Sequence, residues 1–78
     1  MHQLLIVKIL IMNVKEFLDH MKSKGVSLKH LFYLYNKESD FEISYSTFHK
    51  YSKGTTEPRK LFVDRFETIM TKHKYTEL

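Results

Sequence analysis

The sequence predicts a compact all-α domain of four helices with a short apolar extension at its N-terminus. Apolar residues recur at helical spacing in four successive segments, as expected for helices with one buried face. Capping residues or glycines flank these segments. The 78 residues include six phenylalanines and five tyrosines but no cysteine, so an aromatic core rather than disulfides must hold the fold. The domain is predicted over residues 13–74, with residues 75–78 as a C-terminal tail.

Residues 1–12 are the apolar extension, in which Lys8 interrupts a run of leucine, isoleucine and valine. The β-branched content favours a strand, and a lone strand needs a partner such as a second copy of the chain. Two alternatives stay open: an extended tail that lies on the domain, and a natural start at Met12. The run is too short to cross a bilayer and lacks a secretory signal's features. The dimer contact predicted here comprises Leu4, Ile6, Ile9 and Ile11.

The first helix is predicted over residues 14–24. Asn13 and Glu16 have the spacing of a capping box, in which two side chains satisfy free backbone amides at a helix start. Gly25 follows basic residues, as is typical of a helix C-terminus. These signals delimit the first helix at both ends.

The second helix is predicted to start after Ser27, whose hydroxyl is suited to an N-cap. It carries a broad apolar face and is expected to end near residues 36–38, because Asn36 tolerates a left-handed backbone. A polar connector follows, from which Phe41 and Ile43 are expected to return to the core.

The third helix is predicted between a cap at Ser44 and a terminating Gly54. Thr56 is predicted to cap the fourth helix, with Glu57 and Pro58 in its first turn, where proline loses no needed hydrogen bond. The predicted buried stripe of the fourth helix comprises Phe62, Phe66, Ile69 and Met70, with Leu61 and Val63 at its edges.

The composition indicates a polyanionic partner and argues against an enzyme. The net charge is +4 and the pI is near 9.4, which favours nucleic acid first and an anionic membrane second. The apolar run carries one lysine and no flanking basic cluster, which disfavours the membrane. The five histidines show no metal spacing, and no nucleophile–base pair or phosphate-binding glycine loop is evident. We therefore expect a cytoplasmic protein with no cofactor, no metal and no small-molecule substrate.

The third helix has one apolar and one polar face. On a helical wheel Tyr45 and Tyr51 fall within about 60° of Phe48, whereas Ser46 and Lys50 point the opposite way. A helix that enters the DNA major groove needs such a polar face, with small residues near its start and donors for bases and phosphates. A solvated helix has a similar outer face, so composition alone leaves both interpretations open.

Two segments resemble the lambda repressor/Cro-like (XRE-type) helix-turn-helix family: KSKGVSLKHL at 22–31 and ISYSTFHKYSKGTTEP at 43–58. In that family a recognition helix with a similar opening ends in a Gly-x-x-x-Pro pattern, matched here by Gly54 and Pro58. Two positions depart from the pattern. Phe32 replaces a small residue in the second helix, and the connector after it is longer. The resemblance thus implies a helix-turn-helix fold in which helices two and three are pushed apart or tilted.

The resemblance also implies roles for individual residues. At the start of helix two and after helix three, side chains are expected near DNA phosphates, while the opening of helix three faces the bases. The candidates for base contact are Tyr45, Ser46, Thr47, His49 and Lys50. The candidates for phosphate contact are Ser27, Lys29, Lys53, Thr55, Thr56, Arg59 and Lys60.

The function expected from the sequence is that of a sequence-specific regulator that binds double-stranded DNA. A homodimer on a palindromic operator would repress transcription by occlusion, in the manner of phage or mobile-element repressors. The alternatives are an antitoxin-like or accessory DNA-binding factor, and a protein-interaction module with no DNA role.

Overall fold

The computed structural model describes residues 13–78 as four α-helices and a terminal 3-10 turn. The helices are α1 (Val14–Ser23), α2 (Leu28–Glu38), α3 (Tyr45–Lys53) and α4 (Lys60–Lys72), and the turn is Tyr75–Glu77. No strand occurs between residues 13 and 78, so the predicted all-α class is confirmed for that part of the chain. The predicted strand lies outside the described residues, as do the proposed dimer contacts Leu4, Ile6, Ile9 and Ile11.

Side-chain caps start the first three helices as the sequence predicts. Asn13 accepts a hydrogen bond from the Glu16 amide at 2.8 Å, and the Glu16 carboxylate accepts one from the Asn13 amide at 3.1 Å. The Ser27 hydroxyl accepts from the His30 amide at 3.1 Å. Gly54 ends α3 in the left-handed region with φ 76°, where a side chain would be strained. Local capping chemistry therefore sets these boundaries to within a residue.

The predicted start of the fourth helix was wrong. Thr56 caps nothing, and α4 begins at Lys60 with Arg59 in the N-cap position and no side-chain hydrogen bond there. The residue before a proline is sterically disfavoured in the helical region, so Glu57 could not join a first turn that contains Pro58. Arg59 itself is extended, with ψ 148°.

The predicted end of α2 near residues 36–38 is confirmed, but the predicted cause is wrong, because Asn36 does not adopt a left-handed backbone. It lies inside the helix, which continues to Glu38, and its side chain holds the connector. The Asn36 amide nitrogen donates to the Ile43 carbonyl at 2.9 Å, and its oxygen accepts from the Ile43 amide at 3.1 Å. This paired contact fixes the chain just before α3.

The core is aromatic and surrounds α4. α1 packs against α3, and α2 packs against α4. The rings of Phe62 and Phe66 stack at 5.3 Å, and Phe48 lies 6.1 Å from each of them. The predicted stripe of α4 is confirmed as buried, with Leu61 exposed and Val63 half-buried at its edges. Burial of such large rings dominates the stability of a domain this small.

A buried tyrosine joins α2 to the connector. Tyr35 is fully buried and its hydroxyl donates to the Phe41 carbonyl at 2.6 Å. Burial is the main cause that raises the pKa of the Tyr35 hydroxyl above its ordinary value. Phe41 and Ile43 are half-buried against the core, as predicted.

Ion pairs close the C-terminal end. Glu38 accepts hydrogen bonds from Lys72 at 3.0 Å and from His73 at 2.6 Å, which hold its pKa below the ordinary value. Residues 75–78, predicted as a tail, contain the 3-10 turn, which packs against α4 and buries Thr76. None of the helices between residues 13 and 78 has the length and apolarity needed to cross a membrane.

Candidate nucleic-acid interface

The two faces of α3 are sharply distinct. Phe48 is 0% and Tyr51 4% exposed, and both rings pack on Phe62 of α4, at 6.1 Å and 4.9 Å between centroids. Ser46 and Lys50 are exposed on the opposite side. The packed rings hold the helix by one side only, so its polar side chains stay free to contact a ligand.

The first turn of α3 is fastened by its cap. The Ser44 hydroxyl accepts from the Thr47 amide at 3.1 Å and donates to the Thr47 hydroxyl at 3.0 Å. Thr47, a predicted base contact, is half-buried and tied to this cap. Its hydroxyl hydrogen stays available as a donor, because the Ser44 bond uses only a lone pair of the Thr47 oxygen.

Tyr45 lies at the boundary between the core and the polar face. Its ring meets the edge of Phe32 at 5.1 Å, and Phe32 also contacts Phe48 at 5.6 Å. Helices α2 and α3 therefore meet through the bulky Phe32 ring. One turn later, His49 is exposed and its ring lies 6.1 Å from that of Tyr45.

An open groove of about 490 Å³ runs between α1 and α3, and we call it the α1–α3 groove. Three residues of α3 that were predicted to contact DNA lie along it: Tyr45, His49 and Lys53. Ser27, the cap of α2, lines the same groove from the other side. The fold thus brings predicted base and phosphate contacts from two helices to one surface.

Sequence reasoning missed two side chains of this groove that can donate hydrogen bonds. Lys22 lines it from the last turn of α1, and Ser52 lines it from α3. Ser52 lies one turn beyond His49 and two turns beyond Tyr45 on the same side of the helix, so helical spacing could have identified it. The position of Lys22 beside the groove depends on how α1 packs against α3, and no pattern in the sequence indicates that contact.

The other phosphate candidates are more dispersed. Lys29 is exposed on the first turn of α2. The Thr55 hydroxyl donates to the Lys50 carbonyl at 3.3 Å and so closes the end of α3. Thr56 is exposed but lines a different groove, between α1 and α4. Arg59 and Lys60 are exposed at the start of α4, and Lys60 lies 3.3 Å from Asp64.

Positive charge predominates around the α1–α3 groove. Among residues 13–78, several lysines near α3 and the start of α2 form no ion pair. Asp19 is the acidic residue of the groove lining, and it is paired with Lys15 at 2.9 Å. The lysines without an ion pair here are Lys22, Lys24, Lys29, Lys50 and Lys53.

This surface offers hydrogen-bond donors and positive charge. Hydroxyls, an imidazole and ammonium groups on one helix face can contact base edges and phosphates. The residues between 13 and 78 contain no cluster of histidine and acidic side chains able to hold a metal ion. Comparisons with protein-family models, with curated proteins and with solved structures gave no significant match to this chain.

Proposed function

We propose that this protein is a sequence-specific regulator that binds double-stranded DNA and reads it with α3. The observation that carries the proposal is the free polar face of α3, where Ser46, His49 and Lys50 are exposed while Phe48 and Tyr51 are buried behind them. A helix held in this way can insert into the major groove without disturbing the core.

Contacts to bases would come from the outward arc of α3. Ser46 and the Thr47 hydroxyl lie near its start, where short side chains allow close approach to the duplex. Lys50 lies one turn beyond Ser46 and would reach guanine acceptors or a phosphate. Tyr45 and His49, on the side of the α1–α3 groove, would contact bases at the end of the recognised DNA site.

Contacts to phosphates would flank that arc. Ser27 and Lys29 begin α2, and the amides of a helix start attract an anion. Lys22 and Lys53 lie on either wall of the α1–α3 groove and supply charge there. Each phosphate neutralised releases counterions, so the affinity should fall steeply with salt.

The arrangement of α2 and α3 belongs to the same proposal. Residues 39–44 link them, and the Asn36 side chain holds that link through Ile43. We propose that they act as a lambda repressor-like helix-turn-helix, with Phe32 as a thicker spacer than the family uses. A homodimer on a palindromic operator would place two α3 helices about one helical turn of DNA apart.

The role within regulation is proposed as repression by occlusion, of the phage or mobile-element kind. An antitoxin-like or accessory DNA-binding factor would use the same surface. The basic face therefore supports these alternatives as well as it supports a repressor. A protein-interaction module without DNA would leave the face solvated. The cluster of lysines without ion pairs beside the free helix favours the DNA-binding functions over that module.

Selection of bound sequences from a random duplex pool tests the proposal. Enrichment of one motif with two-fold symmetry is the expected result, because a dimer presents two copies of α3. Retention of DNA without enrichment would remove sequence-specific reading but keep the charge-driven contact. Absence of retention at low salt would overturn the proposal in favour of the interaction module.

A further inference from the structure

A row of three aromatic rings joins α2 to the groove side of α3. The Phe32 ring of α2 meets the Tyr45 ring at 5.1 Å between centroids, with the two ring planes 80° apart. The Tyr45 ring lies 6.1 Å from the ring of His49, which is exposed. Phe32 is half-buried and packs against the core. A core side chain is therefore connected, through one intermediate ring, to a proposed base contact.

Tyr45 depends on Phe32 more than Phe48 does. Phe48 meets Phe32 at 5.6 Å, but it also meets two rings of α4, each at 6.1 Å. Among residues 13–78, the ring partners of Tyr45 are Phe32 and the exposed His49. Loss of the Phe32 ring would leave Phe48 fixed by α4, whereas Tyr45 would lose its contact with the core ring beside it.

The geometry of the Phe32–Tyr45 pair favours one direction of the Tyr45 ring. Nearly perpendicular rings attract each other because the positive edge of one faces the negative face of the other. A leucine at position 32 would fill part of the same apolar space but would offer neither an edge nor a face. The direction of the ring matters for binding, because Tyr45 and His49 both line the α1–α3 groove.

We propose that Phe32 is a positioning residue for DNA specificity, which fixes the direction of the Tyr45 ring and, through it, that of the His49 ring. This inference rests on the function proposed for α3. Phe32 acts from the core side, and its effect falls on the bases at the end of the recognised site that Tyr45 and His49 would contact. The contacts of Ser46 and Lys50, which lie on the opposite side of α3 from Phe48, do not depend on it.

Selection from a random duplex pool, carried out with Phe32→Leu and with the parent chain, tests this role. We expect the preference for the bases at the end of the site to fall by roughly 2- to 12-fold, the affinity ratio equivalent to loss of one ring pair. The central positions should keep their preference. An unchanged preference at every position in Phe32→Leu would overturn the inference.

Phe17→Leu is the matched control for a loss of core packing. The Phe17 ring is almost fully buried, and its ring partner among residues 13–78 is Phe66 of α4, at 5.7 Å. The control should therefore lower the Tm without changing the preference for any base. The same change of preference in Phe17→Leu as in Phe32→Leu would assign the effect to lost stability and would overturn the inference.

A double variant tests whether Phe32 acts through Tyr45. In a Tyr45→Leu chain the ring that Phe32 positions is absent, so Phe32→Leu should cause no further loss of preference at the end of the site. A further loss as large as that in the parent chain would overturn the inference. The Tm of each variant confirms that it is folded at the temperature of the selection.

Nuclear magnetic resonance of the chain without DNA tests the ring contact separately. Phe32→Leu should shift the ring protons of Tyr45 and His49 more than those of Tyr51, whose ring packs on Phe62 at 4.9 Å. Unshifted Tyr45 resonances would overturn the inference and leave the proposed function standing. Absence of any base preference in the parent chain would overturn the proposed function and this inference with it.

Discussion

The inner and outer faces of α3 differ in what they contact and in which substitutions they can tolerate. On the inner face Phe48 meets Phe32, Phe62 and Phe66, with ring separations of 5.6 to 6.1 Å. On the outer face Ser46 and Lys50 make no side-chain contact of this kind and are exposed. One helix of nine residues thus carries both a stability determinant and the proposed reading surface.

The residues that orient α3 are thus separate from those proposed to read DNA. A helix this short is marginal by itself and depends on tertiary packing for its stability. The inner rings therefore decide where α3 lies and how it is rotated. The outer residues can be substituted at little cost in folding, which suits the proposed role of this face in reading DNA.

Phe48→Ala should have the largest effect of the changes that separate the two faces. Truncation of a fully buried phenylalanine costs about 3–5 kcal/mol in the free energy of unfolding, which is a large part of the stability of a domain this small. Denaturant unfolding followed by circular dichroism measures it. Ser46→Ala, on the outer face, is the control and should change stability by less than about 0.5 kcal/mol. Similar losses for both variants would contradict the two-face arrangement.

Lys50→Ala should weaken binding to the selected DNA site by about 1–3 kcal/mol, the range for loss of a good base contact. Fluorescence anisotropy with labelled duplex measures the affinity. Lys37→Ala removes the same charge from the end of α2 and should weaken DNA binding by less than Lys50→Ala does. The unfolding midpoint of both variants should match that of the parent. Unchanged affinity in Lys50→Ala would exclude this lysine from the reading surface.

Ser44→Ala should lower the free energy of unfolding by about 0.5–2 kcal/mol, because the Thr47 amide loses its acceptor. Ser44→Asn keeps an acceptor at the cap and should retain most of the stability. The same denaturant titration decides the outcome. If alanine and asparagine were equivalent, the cap would contribute nothing to α3, and the position of its outer face would depend on the inner rings alone.

Glu38→Gln should have the smallest effect, and it lies on neither face of α3. Hydrogen bonds from Lys72 and His73 lower the pKa of Glu38, so its stabilising contribution is present above the ordinary glutamate pKa and is lost as pH falls through the lowered value. The parent chain should therefore have the higher Tm at neutral pH, and the difference should shrink on acidification. A difference that does not depend on pH would contradict this assignment.

The sequence was a good guide where short-range contacts decide the structure. The caps at Asn13, Ser27 and Ser44 and the left-handed Gly54 each involve residues within one turn of each other, and all were predicted. The burial of Phe48 and Tyr51 followed from helical periodicity. A structure built from such local signals can be anticipated without knowledge of its tertiary packing.

Contacts between distant residues could not be anticipated in this way. The Asn36 side chain bonds Ile43 across the connector, and no local pattern indicates that pairing. Lys22 joins the α1–α3 groove because α1 packs on α3. The predicted start of α4 was wrong because the prediction relied on Thr56 and Pro58. It ignored the restriction that a proline places on the backbone of the residue before it, here Glu57. Tertiary packing, and one neglected steric rule, account for these differences.

The burial of Tyr35 allows tyrosine absorbance to follow the unfolding of the domain. The protein contains no tryptophan, so its ultraviolet absorption at wavelengths longer than the phenylalanine bands comes from its five tyrosines. Because burial raises the pKa of Tyr35, the neutral ring stabilises the folded state up to the ordinary tyrosine pKa, and that contribution disappears at more alkaline pH. Phenolate absorbance should consequently show a late component that appears together with the loss of helical signal, a label-free gauge of cooperative unfolding in every variant.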